Sequence, residues 1–333
     1  MPPLSKTTAE YIAHLQAMGT PARTVSARGD SLRAFVRAVG DIETAKVGAR
    51  HIDTMFSSNS HWQPGTRNNR LSNLNLFFKW CRFRRYMPVD SDPTYGWKAL
   101  SYLPAERMLI PRNEWPRLFA HCQDETETIL IATGLYMLTR GSEAAGIQLR
   151  HIKLNIAKPI VQIHRVKNKQ RVWLPIMSEY DPYLRRQLTY LAEQGFAGPN
   201  HYLIPTRTPA IHKPGSGVFT AGTGSVNANA PICRPYDTVK AVLDRAGYST
   251  YWEGVHTLRR SGARAMFDEL CSRGYDGALR RVQTMLGHRK SYTTERYLGI
   301  SLDEMMLLDE FAGQSLYSSN PSDVAQIGGV QRG

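Results

Sequence analysis

Over the first ninety residues apolar positions recur every three or four places, the spacing of one helix face. Thr7 or Thr8 is placed to cap a first helix carrying Tyr11, Ile12 and Leu15, which Gly19 ends. A second runs from Ala22 to Val39 with Leu32, Phe35 and Val36 on one side, and a third covers residues 45–56. A fourth begins near Thr66, after Gln63-Pro64-Gly65. No strand-like alternation interrupts them, so the pattern predicts a bundle of four or five short helices.

Residues 88–112 are irregular and spaced by Pro88, Pro93, Pro104 and Pro111, the texture of an interdomain linker. Helical periodicity resumes at Asn113 and runs towards Gly146. Residues 151–156, 160–166 and 171–176 are short runs rich in β-branched side chains, with a turn at 168–170 between the last two. Residues 205–233, rich in Gly, Pro, Thr, Ala and Asn, read as a long loop or flap; helices return from Tyr236, and the pattern dissolves after Ser315. The expectation is a mainly α chain with a small antiparallel β-sheet. Its parts would be a helical domain over 1–88, a linker over 89–112, a second domain over 113–315 and a flexible tail over 316–333.

Charge sharpens this picture. The 333 residues include 42 Lys and Arg against 28 Asp and Glu, a net +14 that favours polyanionic partners. Part of it is concentrated on the fourth helix. Leu71, Leu74, Phe77, Phe78 and Cys81 form its apolar stripe, while Arg67, Arg70, Lys79, Arg82, Arg84 and Arg85 are basic and no acid falls between His61 and Val89. A merely solvated face usually mixes both signs, so these six are candidates for phosphate contact. Cys81, Cys122, Cys233 and Cys271 are far apart and unpaired, suggesting neither a zinc module nor a disulfide framework; each reads as a small buried hydrophobe. There is no signal-like apolar run at the start and no stretch of membrane-spanning length, so an intracellular, cytoplasmic protein without a membrane partner is expected.

Candidate chemistry gathers late in the chain. Leu286-Gly287-His288 is followed nine positions on by Tyr297. On one straight helix those two side chains would point opposite ways, being about two and a half turns apart. Gly287 ends a helix over 280–286, and Thr293 or Thr294 can cap the next, so the turn between can aim both at one place. Upstream, His256-Thr257-Leu258-Arg259 sets His256 and Arg259 on one helix face. Singly each pattern is common.

Together, and in this order, they resemble the signature of the tyrosine recombinase (phage integrase) family, which includes the lambda-type integrases and the Xer recombinases. Arg140-Gly141-Ser142-Glu143 matches that family's first-arginine motif. Lys167 in Val166-Lys167-Asn168-Lys169-Gln170-Arg171 matches its hairpin lysine, with Lys169 the alternative because this hairpin is one residue tighter. The resemblance spans nearly the whole chain. Because the helical pattern starts almost at the N-terminus, it leaves no room for a separate arm-binding domain, a layout resembling a mycobacteriophage-type integrase.

The resemblance implies a site-specific DNA recombinase that cuts and rejoins strands through a 3′-phosphotyrosine, needing neither metal nor cofactor. Tyr297 would be the nucleophile; Arg140 and Arg259 would hold the phosphate oxygens, a bidentate task suited to guanidinium. His256 would accept a proton, His288 would donate to the phosphate, Lys167 would protonate the leaving 5′-oxygen, and Glu143 would orient the arginines. The implied partners are double-stranded DNA at recombination core sites, three further copies of the chain, a host architectural protein and an excisionase. The apolar run Leu302, Met305, Met306, Leu307, Leu308 and Phe311 would dock onto a neighbouring copy. The competing readings are a type IB topoisomerase, which shares the constellation but relaxes DNA as a monomer, and a DNA-binding regulator without chemistry.

Overall fold

The computed structural model describes residues 1–102, 107–165, 170–207, 224–251 and 253–300. Contacts divide the chain into two units, Met1–Ala105 and Glu106–Gly333. Lys167, Lys169 and the apolar run from Leu302 to Phe311 lie outside the described residues.

The first unit holds helices α1 (Leu4–Ala17), α2 (Ala22–Val39), α3 (Ala49–Ser57) and α4 (Pro64–Phe83). Helix α1 starts at Leu4, before the two threonines expected to cap it. Thr7 sits inside the helix, fully buried, with its hydroxyl 2.8 Å from that of Thr44. Two buried hydroxyls satisfying one another lock the start of α1 to the loop after α2. Residues 44–46 form a short 3-10 turn, and α3 begins only at Ala49. Pro64 occupies the first turn of α4, where its missing N–H is not needed. Tyr11, Phe35, Ile52, Met55, Leu74, Phe77, Phe78 and Cys81 fill the shared core.

The second unit is built around two crossing helices. In α6 (Glu125–Tyr136) every residue from Thr126 to Leu135 is buried, and Asp124 caps its start by accepting the Glu127 N–H at 2.9 Å. Helix α10 (Val255–Ser272) packs on it so closely that a Cβ on Gly262 would run into the Leu135 carbonyl, so this crossing needs glycine. Around the pair lie α5 (Trp115–Ala120), α7 (Gly141–Ala145), α8 (Asp181–Glu193), α9 (Pro235–Arg245), α11 (Ala278–Leu286) and α12 (Ser291–Leu298).

A three-stranded antiparallel sheet joins them: β1 (Ile152–Lys153), β2 (Ile160–Arg165) and β3 (Gln170–Pro175), in that order. The fold is thus mainly α with small antiparallel sheets. The first strand is shorter than its apolar run suggests. The segment expected to be wholly loop carries a second pair at its ends, β4 (Pro205–Arg207) with β5 (Val226–Pro231). Of the cysteines, Cys81 is buried and Cys122 half-buried, but Cys233 and Cys271 are exposed, correcting their reading as core residues.

Candidate active site

Arg140 immediately precedes α7, and Glu143 sits one turn inside it. That spacing lets the Glu143 carboxylate accept the Arg140 backbone N–H at 2.9 Å and its guanidinium Nη1 at 2.5 Å. The same carboxylate accepts Nη1 of Arg259 at 3.4 Å, across 116 positions of sequence. Glu143 is buried, and Arg259 is only 1% exposed. Arg259 also donates to the Leu138 carbonyl and, through Nη2, to the Leu286 carbonyl at 2.6 Å. Leu138 presents that carbonyl from a left-handed backbone (φ 51°), which costs a non-glycine residue about 1 kcal/mol. Burial draws the Arg259 pKa down to about 10, so it stays cationic at neutral pH. Two guanidiniums therefore flank one carboxylate, leaving a local excess of positive charge beside a partly open surface of Arg140.

His256 lies one turn before Arg259 on α10, its outer edge exposed. Partial desolvation of its ring, then the charges of Arg259, Arg140 and Arg260, hold its pKa below the usual histidine value. A histidine so placed is neutral near pH 7 and can accept a proton. Tyr297, on α12, is half-buried and donates its hydroxyl to the His256 carbonyl at 3.3 Å. Burial raises the phenol's pKa, while Arg259, Arg260 and Arg140 pull it the other way.

Gly287 ends α11 in the left-handed conformation (φ 67°), and the chain reverses before α12 begins at Ser291. This turn brings the rings of His288 and Tyr297 together edge to face, centroids 5.4 Å apart. Thr294, a candidate cap, instead lies buried inside α12, where its hydroxyl meets His288 Nδ1 at 3.1 Å. Two groups of contacts result, Arg140–Glu143–Arg259 and the His256 carbonyl–Tyr297–His288, and α10 joins them by carrying both His256 and Arg259. Among the described residues no group of three His, Cys, Asp or Glu side chains gathers as for a metal ion.

Two arginines belong to this neighbourhood that motif matching passed over. Arg165, at the end of β2, is 3% exposed and feels the charges of Glu143 and Arg140. Its Nη2 donates to the carbonyls of Thr284 at 3.0 Å and Met285 at 2.7 Å. With Arg259 on Leu286, the last three carbonyls of α11 all end on buried guanidiniums. Arg260, whose charge reaches Tyr297, is held by Glu253 at 2.9 Å. The partners of Arg165 are about 120 positions away in sequence, and no local pattern announces them.

The six basic candidates of the first unit differ in their surroundings. Arg67 stacks on Phe56 and Trp97, with its guanidinium carbon 4.7 and 5.1 Å from the ring centroids, and Arg70 stacks on Trp62 at 5.1 Å. Arg82 turns towards Asp92 and the Ser91 carbonyl. Lys79, Arg84 and Arg85 are exposed, the last two beyond the end of α4. None of the described helices is long and apolar enough to cross a membrane.

Residues 109–302 match the sequence profile of the Phage integrase family. No curated protein matches the chain. Among solved structures, lambda integrase is similar as a dimer bound to a COC′ core site (13% identity, 89% of this chain and 77% of that chain, TM-score 0.67). It is also similar as a tetramer bound to a Holliday junction (13%, 87% and 79%, TM-score 0.66). XerH recombinase bound to palindromic difH is similar at 12% identity over 90% of this chain and 82% of that one, with a TM-score of 0.61. The integrase of mycobacterium phage Brujita is 18% identical over 96% of each chain, with a TM-score of 0.40. At these identities the structural likenesses speak to the fold, whereas the profile covers more than half the chain: the protein belongs to the phage integrase family of tyrosine recombinases, enzymes of site-specific DNA strand exchange.

Proposed function

We propose that Tyr297 is the nucleophile that cleaves DNA in this chain, with Arg140 and Arg259 binding the scissile phosphate. The observation that carries this is the Tyr297 hydroxyl on the His256 carbonyl, one turn of α10 before the buried Arg259, with the His288 ring edge to face against the phenol. In the reaction a bond forms from the Tyr297 oxygen to phosphorus and the bond from phosphorus to the 5′-oxygen breaks. The phenolic proton passes to His256, and the 5′-oxygen takes a proton from Lys167, with Lys169 the alternative donor. The products are a 3′-phosphotyrosine and a free 5′-hydroxyl. Rejoining reverses these steps, and because one diester replaces another no external energy source is needed.

Charge stabilisation comes from the two guanidiniums and from His288 as a donor to a non-bridging oxygen. Glu143 holds both arginines in register before DNA arrives, so little reorganisation is left for the transition state. In the proposed layout residues 1–88 bind the core site and residues 89–112 link them to a catalytic domain over 113–315, followed by a tail over 316–333. The exposed Lys79, Arg84 and Arg85 are best placed for phosphate contact, whereas Arg67, Arg70 and Arg82 contribute through the packing they already make. Lambda integrase is found as a tetramer on a Holliday junction; the same assembly, held together by the apolar run 302–311, fits this chain. A host architectural protein and an excisionase remain part of this reading, as does a cytoplasmic setting.

The test is a duplex nicked near the cleavage point, so that the released fragment diffuses away. Wild-type protein should become covalently attached in the presence of a metal chelator; Tyr297→Phe should bind equally well and not attach. Attachment surviving in Tyr297→Phe would move the nucleophile elsewhere, with the exposed Tyr292 the first place to look.

A further inference from the structure

The outer face of the three-stranded sheet carries a second concentration of positive charge. Side chains of β2 alternate, with Val161, Ile163 and Arg165 inward and Gln162 and His164 outward. Across the ladder Arg171 pairs with His164, so the two share the outer face. The turn before β1 adds Arg150 and His151. These four basic side chains line one cavity of about 260 Å³, completed by Ser142, Gly146, Gln148, Gln162 and Tyr202, with no carboxylate in its wall.

Nothing described in the protein neutralises them. Arg150 donates to the neutral side-chain oxygen of Asn200 at 3.1 Å, and among the described residues neither Arg150 nor Arg171 forms an ion pair. His151 Nδ1 accepts the Gln148 backbone N–H at 3.1 Å, so in the neutral ring the proton sits on Nε2, as a donor. Partial burial, followed by the charges of Arg150, Arg171 and His164, depresses its pKa. A cavity walled by two guanidiniums, two imidazoles and amide groups, with no acid, suits an anion rich in acceptor oxygens.

Its position says which anion. Ser142 is two residues from Arg140, so their Cα atoms are at most about 7.6 Å apart. Along a DNA strand successive phosphates advance about 3.4 Å of helix axis. A strand whose scissile phosphate rests on Arg140 has neighbouring phosphates at distances that can reach this cavity.

We propose that the cavity between the Leu149–His151 turn and the outer face of β2–β3 binds a non-scissile backbone phosphate, within three nucleotides of the cleavage point. This rests on the proposed placement of the scissile phosphate at Arg140. Its role is registration: a second fixed phosphate sets where along the strand Tyr297 attacks, without reading any base.

The experiment uses the nicked duplex with one phosphate at a time, three on each side of the cleavage point, replaced by a neutral methylphosphonate. Binding to wild-type protein should weaken about tenfold at one flanking position. The double variant Arg150→Gln/Arg171→Gln should bind unmodified DNA about tenfold more weakly and with a shallower salt dependence, its log–log slope reduced by about one to two. It should also be insensitive to the methylphosphonate at that position, while Arg150→Lys/Arg171→Lys restores most of the affinity. Covalent attachment of the Gln double variant should spread to phosphates beside the cleavage point, where wild type attacks one. A double variant that keeps the wild-type affinity and salt slope, or that keeps the same methylphosphonate profile, overturns the proposal. Failure of wild-type protein to attach at all, with the methylphosphonate signature intact, would count against the nucleophile and leave this site standing.

Discussion

The guanidinium of Arg165 occupies the space in which a side chain on residue 287 would begin. Glycine is therefore required at 287 twice, by the left-handed backbone and by a buried cation standing where a Cβ would be. Gly287 directly precedes His288, whose ring meets Tyr297 and Thr294.

Gly287→Ala should lower stability by at least about 2 kcal/mol, since strain of φ adds to a collision that must displace Arg165. Thermal melting should show it, and DNA attachment should fall with it. Arg165→Ala in the same chain opens the space, so the double variant should melt higher than the sum of the two single changes predicts. Strict additivity would mean that the two residues do not press on each other.

Glu143→Gln leaves Arg259 buried with no compensating charge. Breaking one side of a buried ion pair costs about 3–5 kcal/mol. Urea titration should place the midpoint for this variant well below wild type, and covalent attachment should be lost even where the protein remains folded. A variant that unfolds like wild type would show that the Leu138 and Leu286 carbonyls hold Arg259 unaided.

His256 is depressed below its ordinary pKa of about 6.5, so it is neutral in the folded protein at pH values where a free histidine is already half protonated. Between the folded and unfolded values the unfolded chain binds more protons, so this residue's contribution to stability rises with pH through that window and is lost as pH falls. The attachment rate should be flat above pH 6.5 and drop on an acid limb centred below it. His256→Asn should abolish the limb and slow attachment about a hundredfold at neutral pH. An unchanged limb in His256→Asn would assign the proton to another group.

How much of this was readable beforehand follows the range of the interactions. Helices of the first unit show in their periodicity because Tyr11, Phe35 and Phe77 all face one core. Their starts do not, since Thr7 found Thr44 as a partner instead of capping. The pair β4–β5 escaped notice because Pro205, Pro231 and the Asn227-Ala228-Asn229 run lack β-branched alternation. At the site, the resemblance to the family signature singled out Arg140, His256, Arg259, His288 and Tyr297. It said nothing of Leu138's strained carbonyl, of Arg165 or of Arg260, because what gives those residues meaning lies far off in sequence or only in space. Thr294 shows the reverse error: a residue type that caps helices served as the partner of His288.

The resting position of Tyr297 has one more consequence. Its hydroxyl is tethered to a main-chain carbonyl that no side-chain mutation can remove, and its proton is held more firmly than in a free phenol. An enzyme that breaks genomes must be harmless to most of the DNA it meets. Under the role proposed for Tyr297, the attacking phenol rests on the backbone of its own subunit, and a seated phosphate has to draw it from that carbonyl.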